Sequence, residues 1–555
     1  MLGYDMSINN RFFLGRPGVC LILAMLAFIY ADTKRAAAFA AEQPVSMELT
    51  GLPATSNTSI PLSGSKTNKP PSLLPAGLQV DETILSGDDR TTGNNAPEAT
   101  RPDLALVDKS YLVPALEISG FLTALNLFDR QRYTSPDEYG NKVYDTSLAT
   151  TWSNLRRQDW KYDSDPFNTN QFGHPYQGAM MYGFARSSGL NFWESLIYSN
   201  LGSFAWEMAG ENQAPAINDQ ITTGNAGSLL GEALFRMSNL VLGGSSNPGF
   251  LRETGAMLIS PTSEVNRLAF DKRFGTSLPA VHPATFWRLT LGASLNTHAN
   301  DILSTGPTNL RNNTAMDFYM SYGLPGKQGY SYVRPLDYFD FQISTLADSN
   351  NPVENVMLRG MLLGRKYEAG QNFRGIWGLY GSYDYISPYL FRVSSTAASL
   401  GTTGQYWVAP GIALQGSLLG GIGFGAAGTQ IVTNDAWKAG ITRDYHYGIT
   451  PQGLVSAALH CGDRTLFDVT SRGYYVSGHG ADDISGSETI VRTNAGITFR
   501  VWGRHALGAQ FTESWRIAKH NNIPTRSQSE GTITLVYTYL GNARLGAVEW
   551  RDNPR

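Results

Sequence analysis

The 555-residue sequence is poor in cysteine and in charge. Its two cysteines are Cys20 and Cys461, and Cys20 lies in an N-terminal apolar run that we expect to be removed. A single remaining cysteine excludes an intrachain disulfide framework and a paired-cysteine metal or redox motif. Charged residues make up 16% of the chain, against about 25% in an average soluble domain. The formal net charge of −3 supplies no basic field, so we predict no nucleic-acid partner.

Long apolar runs are also scarce, and their position divides the chain. The run from Val19 to Ala31 follows Arg11 and Arg16 and precedes small residues, the pattern of a secretory signal peptide, which we place at residues 1–40. No apolar run of 18 or more residues follows it, which argues against a polytopic helical membrane protein.

Residues 41–102 hold eight prolines and no aromatic residue. We predict a disordered linker at 41–105, because such a segment buries too little apolar surface to offset its ordering entropy.

Residues 106–270 show the spacing of apolar helices. Apolar side chains recur at helical intervals from Tyr111 to about Phe128 and in three denser blocks. The blocks predict helices at about Pro175–Ser188, Phe192–Gly210 and Asn225–Val241. Gly227 and Gly231 form a small-residue pair that allows another backbone to approach closely. The sequence therefore predicts a module of about three to four apolar helices.

The chain changes period at about Thr285. Apolar and polar residues alternate from there in about twelve segments, as in the run Ile533, Leu535, Tyr537 and Tyr539. Period two over about ten residues is typical of antiparallel strands with one apolar face. Such a face points inward in a soluble barrel or sandwich and toward lipid in an outer-membrane barrel. The signal peptide and the polar second face favour the membrane, as do aromatic residues near strand ends, which we take as interfacial girdles: Tyr383, Tyr385, Trp502, Trp515 and Trp550.

We therefore predict a mainly β protein. It comprises an antiparallel outer-membrane-type β-barrel of about twelve strands at 271–555, preceded by the helical module at 106–270. The predicted location is the cell outer membrane, with the periplasm as the alternative. We expect the helices to plug the lumen or to sit at its periplasmic mouth.

Motifs for bound cofactors are weak or missing. Gly423–Gly428 matches G-x-G-x-x-G, but no helical pattern follows it and the segment resembles a small-residue strand. Neither a phosphate-binding loop nor a G-x-S-x-G elbow is present. We predict no cofactor, and the sequence leaves a metal undetermined.

Ionisable residues within the apolar helices are the candidate site. An imidazole and carboxylates that converge between apolar helices can hold a divalent metal or perform acid–base chemistry on a lipid. The catalytic candidates are His174, Glu207, Glu211 and Asp219. The structural or binding candidates are Arg186, Glu194, Glu232 and Arg236. The alternative is that all of them are buried hydrogen-bonding groups and caps that fix the helices against each other.

Several segments of the module resemble a known family. The stretch DPFNTNQFGHPYQG at 165–178 is similar to the bacterial family of unknown function DUF3943, as are ARSSGLNFWES at 185–195, INDQITT at 217–223 and GEALFR at 231–236. The resemblance implies a secreted or outer-membrane bacterial protein in which this block precedes a strand-rich region. It implies no activity and no catalytic residues.

The function expected from the sequence remains general. We expect an outer-membrane barrel that is in contact with outer-membrane lipid and that handles a lipid or small solute. One alternative is a membrane-embedded hydrolase or acyltransferase using His174 and nearby carboxylates. Another is a periplasmic binding module.

Overall fold

The computed structural model describes thirteen segments between residues 108 and 548. They are 108–134, 142–157, 159–163, 165–243, 248–270, 282–301, 312–347, 352–388, 390–429, 445–478, 486–521, 524–541 and 545–548. The predicted signal peptide and linker, and Trp550, lie outside the described residues.

Twelve antiparallel strands close into one barrel, in which β1 pairs with β12 and every other strand pairs with its neighbours in sequence. This confirms the predicted architecture and strand number. The strands are β1 Thr285–Asp301, β2 Asn312–Tyr322, β3 Phe339–Leu346, β4 Val353–Ala369, β5 Phe373–Ile386, β6 Phe391–Ala409, β7 Ile412–Thr429, β8 Tyr445–Cys461, β9 Thr465–Ser477, β10 Gly486–Trp502, β11 His505–His520 and β12 Arg526–Leu540.

The apolar face of the barrel points outward. On β12, Ile533 and Leu535 are 42% and 68% exposed, whereas Thr538, on the other face, is buried. Polar side chains of the inner face bond across the lumen between strands that are not neighbours, as when the Nη1 of Arg288 donates to Asp468 at 3.2 Å. An apolar exterior around a polar interior is the arrangement of an outer-membrane barrel and does not fit a soluble one.

The two ends of the barrel differ in their connections. At one end four of the five connections are short, at residues 370–372, 410–411, 462–464 and 503–504, and the fifth, at 323–338, is long. At the other end three of the six connections are longer, at residues 302–311, 430–444 and 478–485, and the other three span four to six residues. We call these the short-turn end and the long-loop end. In bacterial barrels the short turns face the periplasm and the long loops face outward.

Side chains and in-folded segments fill the lumen. At the short-turn end, Gln405 donates to the carbonyl of Val548, and Gln415 donates to the carbonyl of Gly546, so residues 545–548 lie inside the mouth. At the long-loop end, Leu390 packs with Ile386 in a buried apolar cluster. Between these ends lies a cavity of about 170 Å³ lined by side chains of the inner face. These segments and side chains thus occupy part of the described lumen.

The helical module contains more helices than predicted. The described helices are α1 Leu112–Arg132, α2 Leu148–Arg156, α3 His174–Ser187, α4 Phe192–Ala209, α5 Ile217–Ile221, α6 Gly227–Leu242, α7 Phe250–Ile259 and α8 Pro261–Ala269. The three dense blocks correspond to α3, α4 and α6 within two residues, and the earlier pattern corresponds to α1. Helices α2, α5, α7 and α8 were missed because they are short and carry more polar residues.

Glycines bring α3 and α6 together. A Cβ on Gly178 would lie 1.8 Å from the carbonyl oxygen of Thr223, and one on Gly227 would lie 2.6 Å from the Cα of Gly178. A Cβ on Gly231 would meet the ring of Tyr182. The predicted close approach at Gly227 and Gly231 is therefore confirmed, and α3 is the helix that makes it.

The module packs against the outside of the barrel wall. On β5, Tyr383 shares a face with Trp377, which is exposed, while the alternate residues Ser382 and Asp384 line the lumen. The hydroxyl of Tyr383 donates to the carbonyl of Gln171 in the module. The same holds on β8, where Tyr445 and Tyr447 lie under the module. The predicted position in the lumen is wrong, and the contacts lie along the wall rather than at the mouth.

This arrangement also corrects part of the aromatic girdle. Tyr383 and Tyr385 are fully buried, because the module covers the wall at this point. Trp502 and Trp515, on strands that the module leaves free, are exposed as predicted.

Candidate functional site

Six ionisable side chains converge in the module, and we call them the acidic cluster. Helix α3 begins at His174, α4 carries Glu207 near its end, and α5 carries Asp219. Glu211 follows the end of α4. The cluster is completed by two residues of the segment between α2 and α3, Asp163 and Asp165.

The donor atoms of the cluster are close together. The Nε2 of His174 lies 3.7 Å from an Oδ2 of Asp219. One donor atom from each of Asp163, Asp165 and His174 lies within 4.8 Å of the others. His174 is 9% exposed, and Glu207 and Asp219 are buried. The structure thus places His174 beside Asp219 and adds two aspartates that the sequence analysis did not include among the candidates.

Hydrogen bonds hold these side chains in place. Asn218 Nδ2 donates to Oδ1 of Asp219 at 2.5 Å, and Asn218 Oδ1 accepts from the backbone N–H of Asp163 at 2.8 Å. The barrel wall contributes as well, because the hydroxyl of Tyr445 donates to the carbonyl of Asp165 at 2.5 Å. The cluster is therefore oriented from both the module and the wall.

The two glutamates are partly engaged elsewhere. Oε2 of Glu207 accepts from the backbone N–H of Ala216 at 2.7 Å, and Oε1 of Glu211 accepts from the indole of Trp206 at 2.9 Å. Helix α4 ends at Ala209, so Glu211 lies beyond the helix, in the chain that follows it.

Burial and like charges set the protonation of the cluster. Burial, and then the neighbouring carboxylates, hold the pKa values of Asp165, Glu211 and Asp219 well above their usual range. Burial lowers the pKa of His174, which favours the neutral imidazole with a free lone pair. A neutral imidazole beside several carboxylates can accept a proton or bind a cation.

Three of the other predicted residues form a buried ion network. Glu232 on α6 accepts from the Nε of Arg186 at 2.8 Å and from the Nε of Arg236 at 2.7 Å. Arg236 also pairs with Asp337, in the connection between β2 and β3, at 2.9 Å. These contacts join α3 and α6 to the barrel, which supports the structural interpretation of these residues.

Glu194 has a local role at the start of α4. Its side chain accepts from the backbone N–H of Asn191, whose own side chain accepts from Glu194 N–H in return, forming a capping box. Lys109 pairs with Glu194 at 3.0 Å. This explains Glu194 as a cap.

Sequence reasoning missed Asp163, Asp165 and Asn218. The Asp-x-Asp spacing is a signal for paired oxygen donors, but nothing in the sequence placed it beside α5. Asn218 precedes Asp219 directly, and only the structure shows that it spans to Asp163.

A second ionisable group lies within the barrel. His446, Glu488 and His520 offer donor atoms within 4.8 Å of one another. Arg516 already donates to both oxygens of Glu488 at 2.6 Å. This bidentate pair neutralises the carboxylate, so the group is explained as part of the lumen network.

The helix α1 is, by length and composition, apolar enough to cross a membrane. This helix and the acidic cluster both belong to the module and lie outside the barrel lumen.

Comparison with solved structures returns outer-membrane barrels. The chain is similar to the NanC porin at 7% identity, with 45% of this chain and 98% of the porin covered and a TM-score of 0.22. It is similar to the Pseudomonas putida toluene transporter TodX at 7% identity, with 47% and 90% covered and a TM-score of 0.20. It is similar to the Acinetobacter baumannii outer membrane channel DcaP at 10% identity, with 46% and 96% covered and a TM-score of 0.19. At these values the likeness carries no argument about function.

Comparison with curated proteins gives no match. The family comparison matches residues 159–262, which include the whole acidic cluster and the buried ion network of Arg186, Glu232 and Arg236. The model that matches this helical segment is the family described as a domain of unknown function, DUF3943.

Proposed function

We propose that this protein resides in the outer membrane and handles a membrane lipid at the helical module, with the barrel serving as its anchor. The observation that carries the proposal is the position of the module on the outer face of the wall. A module there meets lipid along its outer helix faces, whereas a module in the lumen would meet solutes.

The exposed faces of the module fit a hydrocarbon surrounding. On α4 the exposed residues Trp193, Ile197, Leu201 and Phe204 follow helical spacing and form an apolar stripe. On α1 the exposed side chains from Leu112 to Leu127 include no charged residue. Burying ionisable groups behind such faces costs free energy, and in membrane proteins such groups are commonly functional.

The lumen gives little support to solute passage. Gln452 on β8 donates to Ser382 on β5 and accepts from Ser395 on β6, so polar side chains bridge the interior. The segment at 545–548 lies in the short-turn mouth. A small solute that crosses the membrane would have to displace these contacts.

The second candidate is a hydrolase or acyltransferase that uses His174 as a general base and a carboxylate to orient it. The observation behind it is the proximity of His174 Nε2 and Asp219 Oδ2, which lie 3.7 Å apart, so the carboxylate would have to approach the ring to orient it in a catalytic state. This would make the module a membrane-embedded enzyme acting on a lipid ester.

Reconstitution in vesicles tests the proposal. Purified wild-type protein and the His174→Ala variant are placed in vesicles of phospholipid and lipopolysaccharide, and the lipids are followed by mass spectrometry. We expect the wild type either to convert one lipid species into another or to keep it bound through purification. The folded His174→Ala variant is expected to do neither. Unchanged lipids together with no co-purifying lipid would refute a lipid role.

Planar bilayers provide the complementary measurement. We expect no stable open-pore conductance from the wild type, because the described lumen is bridged and capped. Steady porin-like conductance would show that the lumen is the working path and would overturn the proposal.

A further inference from the structure

The acidic cluster contains five carboxylates and one imidazole behind apolar helix faces. Carboxylates in such an environment repel one another and lose hydration, so their proximity is unfavourable without a compensating positive charge. A proton or a metal cation can supply that charge.

The surroundings of the His174 imidazole indicate which of the two, a proton or a metal cation, supplies this positive charge. Its Nε2 is buried, and no hydrogen bond among the described residues reaches it, although it points toward Asp219. A buried ring nitrogen without a partner costs free energy, and at 3.7 Å from Asp219 Oδ2 a proton on either group does not form a hydrogen bond between the two. A cation bound to Nε2 would satisfy the nitrogen and offset the carboxylate charge together.

The spacing of the donors fits one ion. Bonds of about 2.0–2.2 Å from a metal to nitrogen and oxygen place neighbouring donors about 3.4 Å apart. The separation of His174 Nε2 and Asp219 Oδ2 is 3.7 Å, and the donors of Asp163, Asp165 and His174 lie within 4.8 Å. Asp163, Asp165 and His174 form the compact group, and binding one ion through these residues and Asp219 together requires side-chain rotations that shorten the separations.

The supporting hydrogen bond from Asn218 engages the other oxygen of Asp219. Asn218 holds Oδ1 of Asp219, which directs Oδ2 toward His174. The same asparagine fixes the backbone at Asp163. Side chains that orient metal ligands in this way are a regular part of metal sites.

We propose that the module binds one divalent metal ion of the first transition row through Asp163, Asp165, His174 and Asp219. The set of oxygen donors with one imidazole suits Mn²⁺ or Zn²⁺, since carboxylates favour Mn²⁺ and imidazole favours Zn²⁺. The site lies in the part of the module that faces the wall at Tyr445. This inference concerns the cluster alone and does not require that the module acts on a lipid.

Direct titration tests the site. The full-length protein is purified in detergent, stripped with EDTA, and titrated with MnCl₂ and separately with ZnCl₂ in a calorimeter. We expect about one equivalent of one of these ions to bind. His174→Ala and Asp219→Asn are expected to weaken the binding at least tenfold. Glu194→Gln, which removes an acidic group of the same module outside the cluster, is the matched control and is expected to bind as the wild type does.

Thermal unfolding separates a metal ligand from a structural residue. Folded barrels are identified by their shifted migration in unboiled SDS samples, and only folded variants are compared. Asp163→Asn is included as a further variant. We expect the metal to raise the Tm of the wild type and not that of Asp219→Asn. Without metal, Asp219→Asn is expected to match or exceed the wild-type Tm, because it removes a like charge.

Two results would overturn the site. One is the absence of binding by the wild type with both ions. The other is an unchanged affinity in folded His174→Ala and Asp219→Asn. Metal binding that persists while the vesicle lipids stay unchanged would refute the lipid role and leave the metal site in place.

Discussion

An arginine placed on the outer face of the barrel tests the orientation on which the proposed location depends. Ile533 lies in the middle of β12 and is 42% exposed. Ile412 is the first residue of β7, beside a short turn, and is 37% exposed. The two residues have the same side chain and similar exposure, but they differ in depth along the wall.

The expected costs of Ile533→Arg and Ile412→Arg differ for this reason. An arginine on the lipid face costs about 2–4 kcal/mol at the bilayer midplane and about 0–1 kcal/mol near the interface. Ile533→Arg should therefore lower the folding equilibrium constant roughly 30- to 900-fold, since about 1.4 kcal/mol is a factor of ten. Ile412→Arg should lower it at most a few-fold.

Reversible unfolding by guanidinium chloride in phospholipid vesicles measures both costs. The tryptophan fluorescence of the folded and unfolded states gives the free energy of unfolding of each variant. Equal costs for the two variants would show that depth in a bilayer does not govern this face. If both arginine substitutions lowered the free energy of unfolding no more than a substitution on the exposed surface of a soluble protein does, the assignment of the wall to lipid would be refuted.

Two further substitutions test the packing of the module. Glu232→Gln should lower the free energy of unfolding by about 3–5 kcal/mol, because it leaves the buried Arg186 and Arg236 without their shared carboxylate. Denaturant titration in detergent measures this loss, and a change below about 1 kcal/mol would contradict a structural role for the network. Gly178→Ala should separate α3 from α6, because the added Cβ has no space beside Thr223. Limited proteolysis should then cut the module faster, whereas Gly120→Ala, where nothing lies within 4 Å, should leave the digestion pattern unchanged.

The sequence indicated where the helices lie along the chain, but it did not indicate what their apolar faces contact. The blocks that became α3, α4 and α6 were evident because apolar residues recur at helical spacing. Their position on the wall was not evident, because an apolar helix face looks the same whether it meets a lumen, a protein core or lipid. Tyr383 shows the same ambiguity, since an aromatic residue near a strand end suits both a girdle and a covered wall.

The candidate site was predictable only in part. His174 and Asp219 stood out as ionisable residues in apolar segments, and the structure places them 3.7 Å apart. Asp163 and Asp165 precede the dense helices in a polar stretch, where acidic residues are common, so their Asp-x-Asp spacing alone did not identify a site. Their contribution depends on the path of the chain across the barrel wall.

The sequence by itself determined the strands, because period-two alternation over twelve segments permits little else, and it determined that one face of each strand is apolar. Tertiary structure alone decided that this face points outward, because closure of β1 on β12 and bonds across the lumen fix the polar face inside. It also decided that the module lies outside the wall and that the acidic cluster forms there. The physical reason is that alternation and helical spacing are local properties of the chain, whereas the medium that each face meets depends on contacts between residues far apart in sequence.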